Sequence, residues 1–244
     1  MGNGVTVMSM VFLSSALMHL SENEEQEMFG LKPSSLVTAI GTVSGILSAI
    51  MLPFMGAVVD GTPHRRKVGI ISTFMLVTIQ TIQIMTVRQT WKYMALLQAL
   101  NGFIFQVATL AAYSYLPEMA REIGESRMTK YSSKFFIMMF ALESIYLIIV
   151  IGISINFRMD DVGTSALAQS INVLGAGWCY YNGWKYLTDR PGNRSLDDDR
   201  SFFASGFVQV YRTASGICKH YASSLGWYLF AVLFAEAGEL ISFR

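Results

Sequence analysis

Few residues in this sequence have the types and spacing to do chemistry. Asp60 closes an uncharged run, Ser35 to Val59, and Arg65, Arg66 and Lys67 open another, Val68 to Val87. Between the two runs, Gly61 and Pro63 break any helix. A short basic turn of this kind anchors a chain at one face of a membrane. Glu143 is the second such position, a carboxylate about a third of the way along the apolar run Phe135 to Ile155. A carboxylate inside a membrane helix costs at least ~2.5 kcal/mol by insertion scales, so it must face a cavity or a partner. Glu143 is therefore either a proton carrier or a carboxyl satisfied by Ser or Tyr hydroxyls of a neighbouring helix. Asn101, Gln106 and Asn172 also lie in apolar runs. Their amides suit either the ammonium and carboxylate of a small solute or hydrogen bonds between helices.

Enzyme chemistry finds little support. His19, His64 and His220 are scattered, and no nucleophile elbow, phosphate loop or metal-ligand spacing is present, so no cofactor is expected. Cys179 and Cys218 are two lone cysteines without a disulfide framework and read as small apolar filler.

The elements that must position these residues are membrane helices. Of 244 residues 52% are hydrophobic and 14% charged, against about 25% charged in a soluble domain. A net charge of +1 implies no polyanion, and nothing suggests nucleic-acid binding. The spans expected are Val5 to Leu20, Ser35 to Val59, Val68 to Val87, Tyr93 to Leu116, Phe135 to Ile155 and Val162 to Tyr181. Ser35 is the expected cap of the second, Gly41-x-x-x-Gly45 its packing seam, and Pro117 with Glu118 the end of the fourth. Arg121 to Lys134 reads as a polar connector. Asp189 to Arg200 is the longest hydrophilic break after the acidic loop Glu22 to Glu27. An amphipathic stretch, Phe202 to Tyr221, and a seventh apolar segment, Ser223 to Phe243, follow it.

The expected organisation is thus an all-α membrane protein. A six-helix bundle fills residues 1–183 and a cytoplasmic polar loop 184–202. The amphipathic segment and the start of a second, incomplete bundle fill 203–244. With the loop after the second helix in the cytoplasm, that side holds Arg65 to Lys67, Arg121 to Lys134 and the cations from Lys185 to Lys219. The other side holds Lys32, Arg88, Lys92 and Arg158. This bias puts the N-terminus in the cytoplasm and argues against a seven-helix receptor. The sequon Asn193-Arg194-Ser195 then lies on the cytoplasmic side and is expected to be unmodified.

Gly56-x-x-x-Asp60 followed by the Arg65-Arg66-Lys67 run, between the second and third helices, resembles the signature loop of the major facilitator superfamily. Gly61 stands where that pattern usually has a basic residue. Tyr113-Ser114-Tyr115-Leu116-Pro117-Glu118 resembles a signature of one branch, the autophagy-related vacuolar amino-acid effluxers. So does the stretch from Tyr211-Arg212-Thr213 to Tyr228-Leu229-Phe230-Ala231. The likeness spans about Leu31 to Leu240.

The resemblance implies a secondary transporter that exports neutral amino acids, such as leucine, isoleucine and tyrosine, from the vacuole or lysosome lumen after autophagic breakdown. Two bundles would rock around a central site near the midplane. Gly56, Asp60, Arg65, Arg66 and Glu118 would form a gating latch. In it Asp60 would meet the positive end of a helix in the other bundle, and Arg65 or Arg66 would pair with Glu118. The substrate would be a small molecule and the vacuolar or lysosomal bilayer the setting. A facilitator needs about twelve helices and this chain has seven apolar segments. The rival reading is therefore a non-transporting scaffold or regulator, or an inactive truncated fragment.

Overall fold

The computed structural model describes residues 2–23, 32–188, 206–208, 210–212, 215, 216, 227 and 231, with the side chains of 23, 34 and 125 left aside. Among them the architecture is wholly helical: α1 (Gly2–Asn23), α2 (Pro33–Gly61), α3 (Arg65–Gln83), α4 (Trp91–Tyr113), α5 (Leu116–Ile123), α6 (Glu125–Asn156) and α7 (Asp161–Tyr186). Six long helices form one bundle, as an all-α membrane protein requires. The sequon, Cys218 and most of the seventh apolar segment lie outside the described residues.

Helix α1 packs chiefly on α7, α3 on α4 and α7, and α2 on α4. Helix α6 touches α1, α5 and α7. Gly2–Glu22, Ser35–Gly61, Trp91–Ile123 and Ser126–Asn156 are long and apolar enough to cross a bilayer. Helices α3 and α7 do not meet that measure, although the runs at 68–87 and 162–181 read as spans in the sequence. The reason is their polar inward faces and, for the 19-residue α3, the cations of its first turn. Helix α3 buries Arg65, Ser72, Thr73, Gln80 and Gln83, while its Ile71 and Phe74 are exposed. Helix α7 buries Ser165, Gln169 and Asn172. Lipid is as apolar as leucine, so apolar side chains gain little by turning inward and polar ones gain hydrogen bonds.

Several boundaries differ from the sequence reading. The N-cap of α2 is Lys32 with Pro33 in the first turn, and Ser35 Oγ donates back to the Lys32 carbonyl at 3.0 Å. Proline is pre-set for that position, since its missing N–H would have no helical partner anyway. For the same reason Pro117 opens α5 instead of closing α4. The expected connector is helical: α5 leads through Gly124 into the 32-residue α6, which runs on through the fifth span. At 1.5 Å per residue α6 is about 48 Å long, more than a ~30 Å hydrocarbon core, so its first turns project beyond it. Helix α7 continues to Tyr186, past the expected end at Tyr181, which makes Trp184 part of the bundle.

Among the described residues no atom lies near a Cβ placed on Gly41 or Gly45, so α1 to α7 do not use them as a seam. The close approach between α2 and α4 is instead Gly102 over Ser44, whose Oγ would lie 2.5 Å from such a Cβ.

Gly124 has φ +85° and ψ 147°, a region open essentially to glycine alone. Gly124→Ala is expected to cost about 1–3 kcal/mol and to loosen the α5–α6 corner. A thermal unfolding curve of the purified variant in detergent would read the loss, and an unchanged midpoint would refute it.

A buried ion-pair joint and an amide-lined interior

At one end of the bundle α2, α3, α4, α5 and α7 converge on Arg65. Its Nη1 donates to Glu118 Oε1 at 2.9 Å and to the Ser114 carbonyl at 3.3 Å, and its Nε donates to the Val59 carbonyl at 3.4 Å. The guanidinium also lies over the Tyr115 ring, 5.1 Å from its centroid. Arg65 is 5% exposed and the Glu118 side chain 13%, so this ion pair is largely withdrawn from water. A planar guanidinium suits such a place, because it can donate to several acceptors while stacking on an aromatic face.

Arg66 takes a different partner, donating from Nε to the Trp184 carbonyl at 3.2 Å. Trp184 in turn packs against α3 at Gly69, where a Cβ would overlap its indole ring. Val59, Ala111 and Tyr115 complete the apolar cluster around it. The Tyr115 hydroxyl reaches the Thr188 carbonyl at 3.4 Å, just before the polar stretch that leaves the bundle. The turn after α2, the end of α4 and the exit of α7 are therefore one packed joint. Asp60 and Gly56 lie at its edge, Asp60 in the last turn of α2 and Gly56 with open space beside its Cα.

The bundle interior holds a second polar assembly. Thr6 Oγ1 donates to Asn172 Oδ1 at 3.2 Å, and Asn172 Nδ2 donates to Gln80 Oε1 at 2.8 Å. The Tyr180 hydroxyl donates to Asn3 Oδ1 at 3.1 Å, and Asn3 Nδ2 donates to Thr109 Oγ1 at 3.3 Å. Farther along, Gln83 Nε2 donates to Gln98 Oε1 at 3.0 Å. Gln98 Nε2 donates to the Met10 carbonyl, and Gln169 Nε2 to that of Ser9. These bonds tie α1, α3, α4 and α7 together, the usual use of amides between membrane helices.

The three amides singled out in the sequence occupy different surroundings. Asn172 is fully buried with both amide atoms engaged. Asn101 is also fully buried, but among the described residues neither its Oδ1 nor its Nδ2 has a partner. Gln106 is exposed on the outer face of α4. Glu143 is half-buried on α6, with its carboxylate against α1 at Gly4. A cavity of about 430 Å³ opens where α1 starts and α7 ends, lined by Asn3, Thr73, Trp178, Tyr180 and Trp184 among others.

Asn101→Leu is expected to be neutral or stabilising by about 1 kcal/mol, because it removes two unmet polar atoms without stranding a partner. Asn172→Leu strands the Gln80 amide, leaves Thr6 only its bond with the Tyr180 hydroxyl, and is expected to cost about 2–3 kcal/mol. Thermal unfolding of both variants decides the matter, since equal losses would mean that Asn101 is satisfied in the protein.

Sequence reading missed Gly69, Tyr115 and Trp184 as parts of the joint, and Gln98 and Gln169 as parts of the interior. A lone glycine at i+4 from Arg65 was the available signal for Gly69. Nothing local marked Trp184 as its counterpart.

Comparison with curated proteins and with solved structures returned no match. The family model of vacuole effluxer Atg22-like proteins matches residues 28–238, most of the chain. That stretch contains the Arg65–Glu118 joint and all helices after α1. The chain belongs to the vacuole effluxer Atg22-like family, a membrane-transport family of the major facilitator type.

Proposed function

We propose that this chain takes part in exporting neutral amino acids from a vacuolar or lysosomal lumen by alternating access, with the turn after α2 as its gating latch. Family membership supports transport, and the buried Arg65–Glu118 pair is the observation that carries the latch. Two opposite charges largely withdrawn from water hold their elements together only while they stay paired, so the joint suits a two-state element. In this reading Arg65 and Glu118 lock the turn to the α4–α5 corner, and Arg66 ties it to α7. Asp60 and Gly56 face the second bundle, with the N-terminus and this joint on the cytoplasmic side. Of the three amides, Gln106 is the one exposed to a solute. Asn101 and Asn172 would meet substrate only after the interior opens.

The test is efflux of labelled leucine, isoleucine and tyrosine from proteoliposomes containing the full chain. Asp60→Asn and Glu118→Gln are expected to fold and to lower efflux about tenfold, the effect of shifting a two-state equilibrium by ~1.4 kcal/mol. Efflux that survives both substitutions would dispose of the latch.

A further inference from the structure

We infer that Glu143 is the proton-binding group that couples solute movement to a proton gradient. This deepens the transport reading and rests on it. Glu143 is the one acidic residue in Ser126–Asn156, the most apolar of the four membrane-length segments. It is half-buried, and among the described residues it makes no hydrogen bond or ion pair. Its carboxylate rests on the backbone of α1, where a Cβ at Gly4 would lie 3.2 Å from Oε2 and 3.3 Å from Cδ. A glycine at this level of α1 leaves room for the carboxyl group, and α1 offers it no cation.

An acid so placed has two usable states. As an anion it needs water or a countercharge, and as a neutral acid it is tolerated against lipid and α1. Binding forms one O–H bond on the carboxylate from a hydronium on the acidic side. Release returns that proton to water on the other side, with no redox partner. Among the described residues the surrounding elements supply no competing charge at this level. Tyr146, one turn along α6, donates its hydroxyl to the Ala168 carbonyl. Helix α1 has no titratable side chain before His19. On α7 the ionisable residues between its two ends are Cys179, Tyr180 and Tyr181, with Asp161 at its start and Lys185 at its end. Tyr180 is bonded to Asn3 and Thr6. On α5 Glu118 is held by Arg65, and Arg121 and Glu122 lie on the corner helix before α6. Gly4 shares its helix turn with Asn3 and Thr6, both tied into the interior network. Any shift of α1 against α6 that accompanies transport therefore changes what surrounds this carboxyl.

The decisive comparison is wild type against Glu143→Gln in proteoliposomes of the full chain, with labelled leucine as probe. The proposal expects gradient-driven leucine movement to fall about tenfold or more, while leucine exchange without a gradient stays within about twofold. Loss of both would make Glu143 a substrate ligand or a structural group, and retention of both would make it a bystander. Either overturns the proposal. Infrared difference spectra give a readout independent of transport: a protonated-carboxyl C=O band present in wild type and missing from folded Glu143→Gln. Absence of that band in wild type overturns the proposal even if leucine moves. A wild-type protein that shows the band but moves no amino acid sinks the transport reading instead.

Discussion

Arg65→Met is expected to destabilise the bundle by about 3–5 kcal/mol, because it leaves Glu118 largely buried without its countercharge. The same substitution strands the Val59 and Ser114 carbonyls and removes the cation from the Tyr115 ring. Arg65→Lys keeps the charge but loses the planar fork, and its expected cost is about 2 kcal/mol. Glu118→Gln retains an acceptor near Nη1 and is expected to cost about 1–2 kcal/mol. The order Met, Lys, Gln distinguishes this geometry from a simple surface pair, where all three would fall near 0–1 kcal/mol. A charge swap, Arg65→Glu with Glu118→Arg, is expected to restore little, because a carboxylate cannot donate to the two carbonyls that Arg65 now serves. Thermal unfolding in detergent reads the series, and near-complete recovery in the swap would show that the carbonyl bonds contribute nothing.

The second large effect is steric. Gly69→Ala places a methyl inside the volume of the Trp184 indole, a rigid ring that is 7% exposed, so the ring must shift into the adjoining cavity or the helices must part. Overpacking of this kind costs typically about 1–3 kcal/mol, and Gly69→Val is expected to exceed it. Trp184→Ala alone removes the ring and is expected to cost about 3–5 kcal/mol. In the double variant Gly69→Ala with Trp184→Leu, the clash is gone and part of the volume is refilled. The Gly69→Ala penalty should then disappear when measured against Trp184→Leu alone. If the penalties add instead, α3 and α7 do not meet at Gly69. This joint adjoins the Arg66 bond to the Trp184 carbonyl, so the Gly69 series should also alter any function that depends on the turn after α2.

Both predictions depend on residues that the sequence exposes unequally. Arg65 and Glu118 are visible, as a cation at a membrane boundary and an acid after a proline, but the sequence left open whether Arg65 or Arg66 takes Glu118. Gly69 and Trp184 are 115 positions apart, as their numbers show, and share no motif. Their contact exists only because α3 and α7 pack side by side. Helix ends follow the same division. Pro117 reads naturally as a breaker that ends a helix, yet like Pro33 it occupies a first turn, where the lack of an N–H carries no penalty. The two readings look alike until the chain on both sides is placed.

By itself the sequence determined the class of the molecule and the position of its turns. Long uncharged runs leave the backbone no partner in lipid but its own helix, so helices of membrane length follow from composition. The placement of the Gly56 to Lys67 turn between two such runs, and the solitary acid at Glu143, are equally legible because charge is rare there. Only the tertiary structure decided which way each helix turns. Outside a bilayer, apolar residues seek the core and periodicity reveals the buried face. Within one, lipid accepts apolar side chains on every side, and the inward face is chosen by hydrogen bonds and close fits between distant helices. That is why Gly41-x-x-x-Gly45, a packing motif by spacing, meets none of the other helices among the described residues. It is also why, among the described residues, six carboxamides with no shared motif are buried inside the bundle.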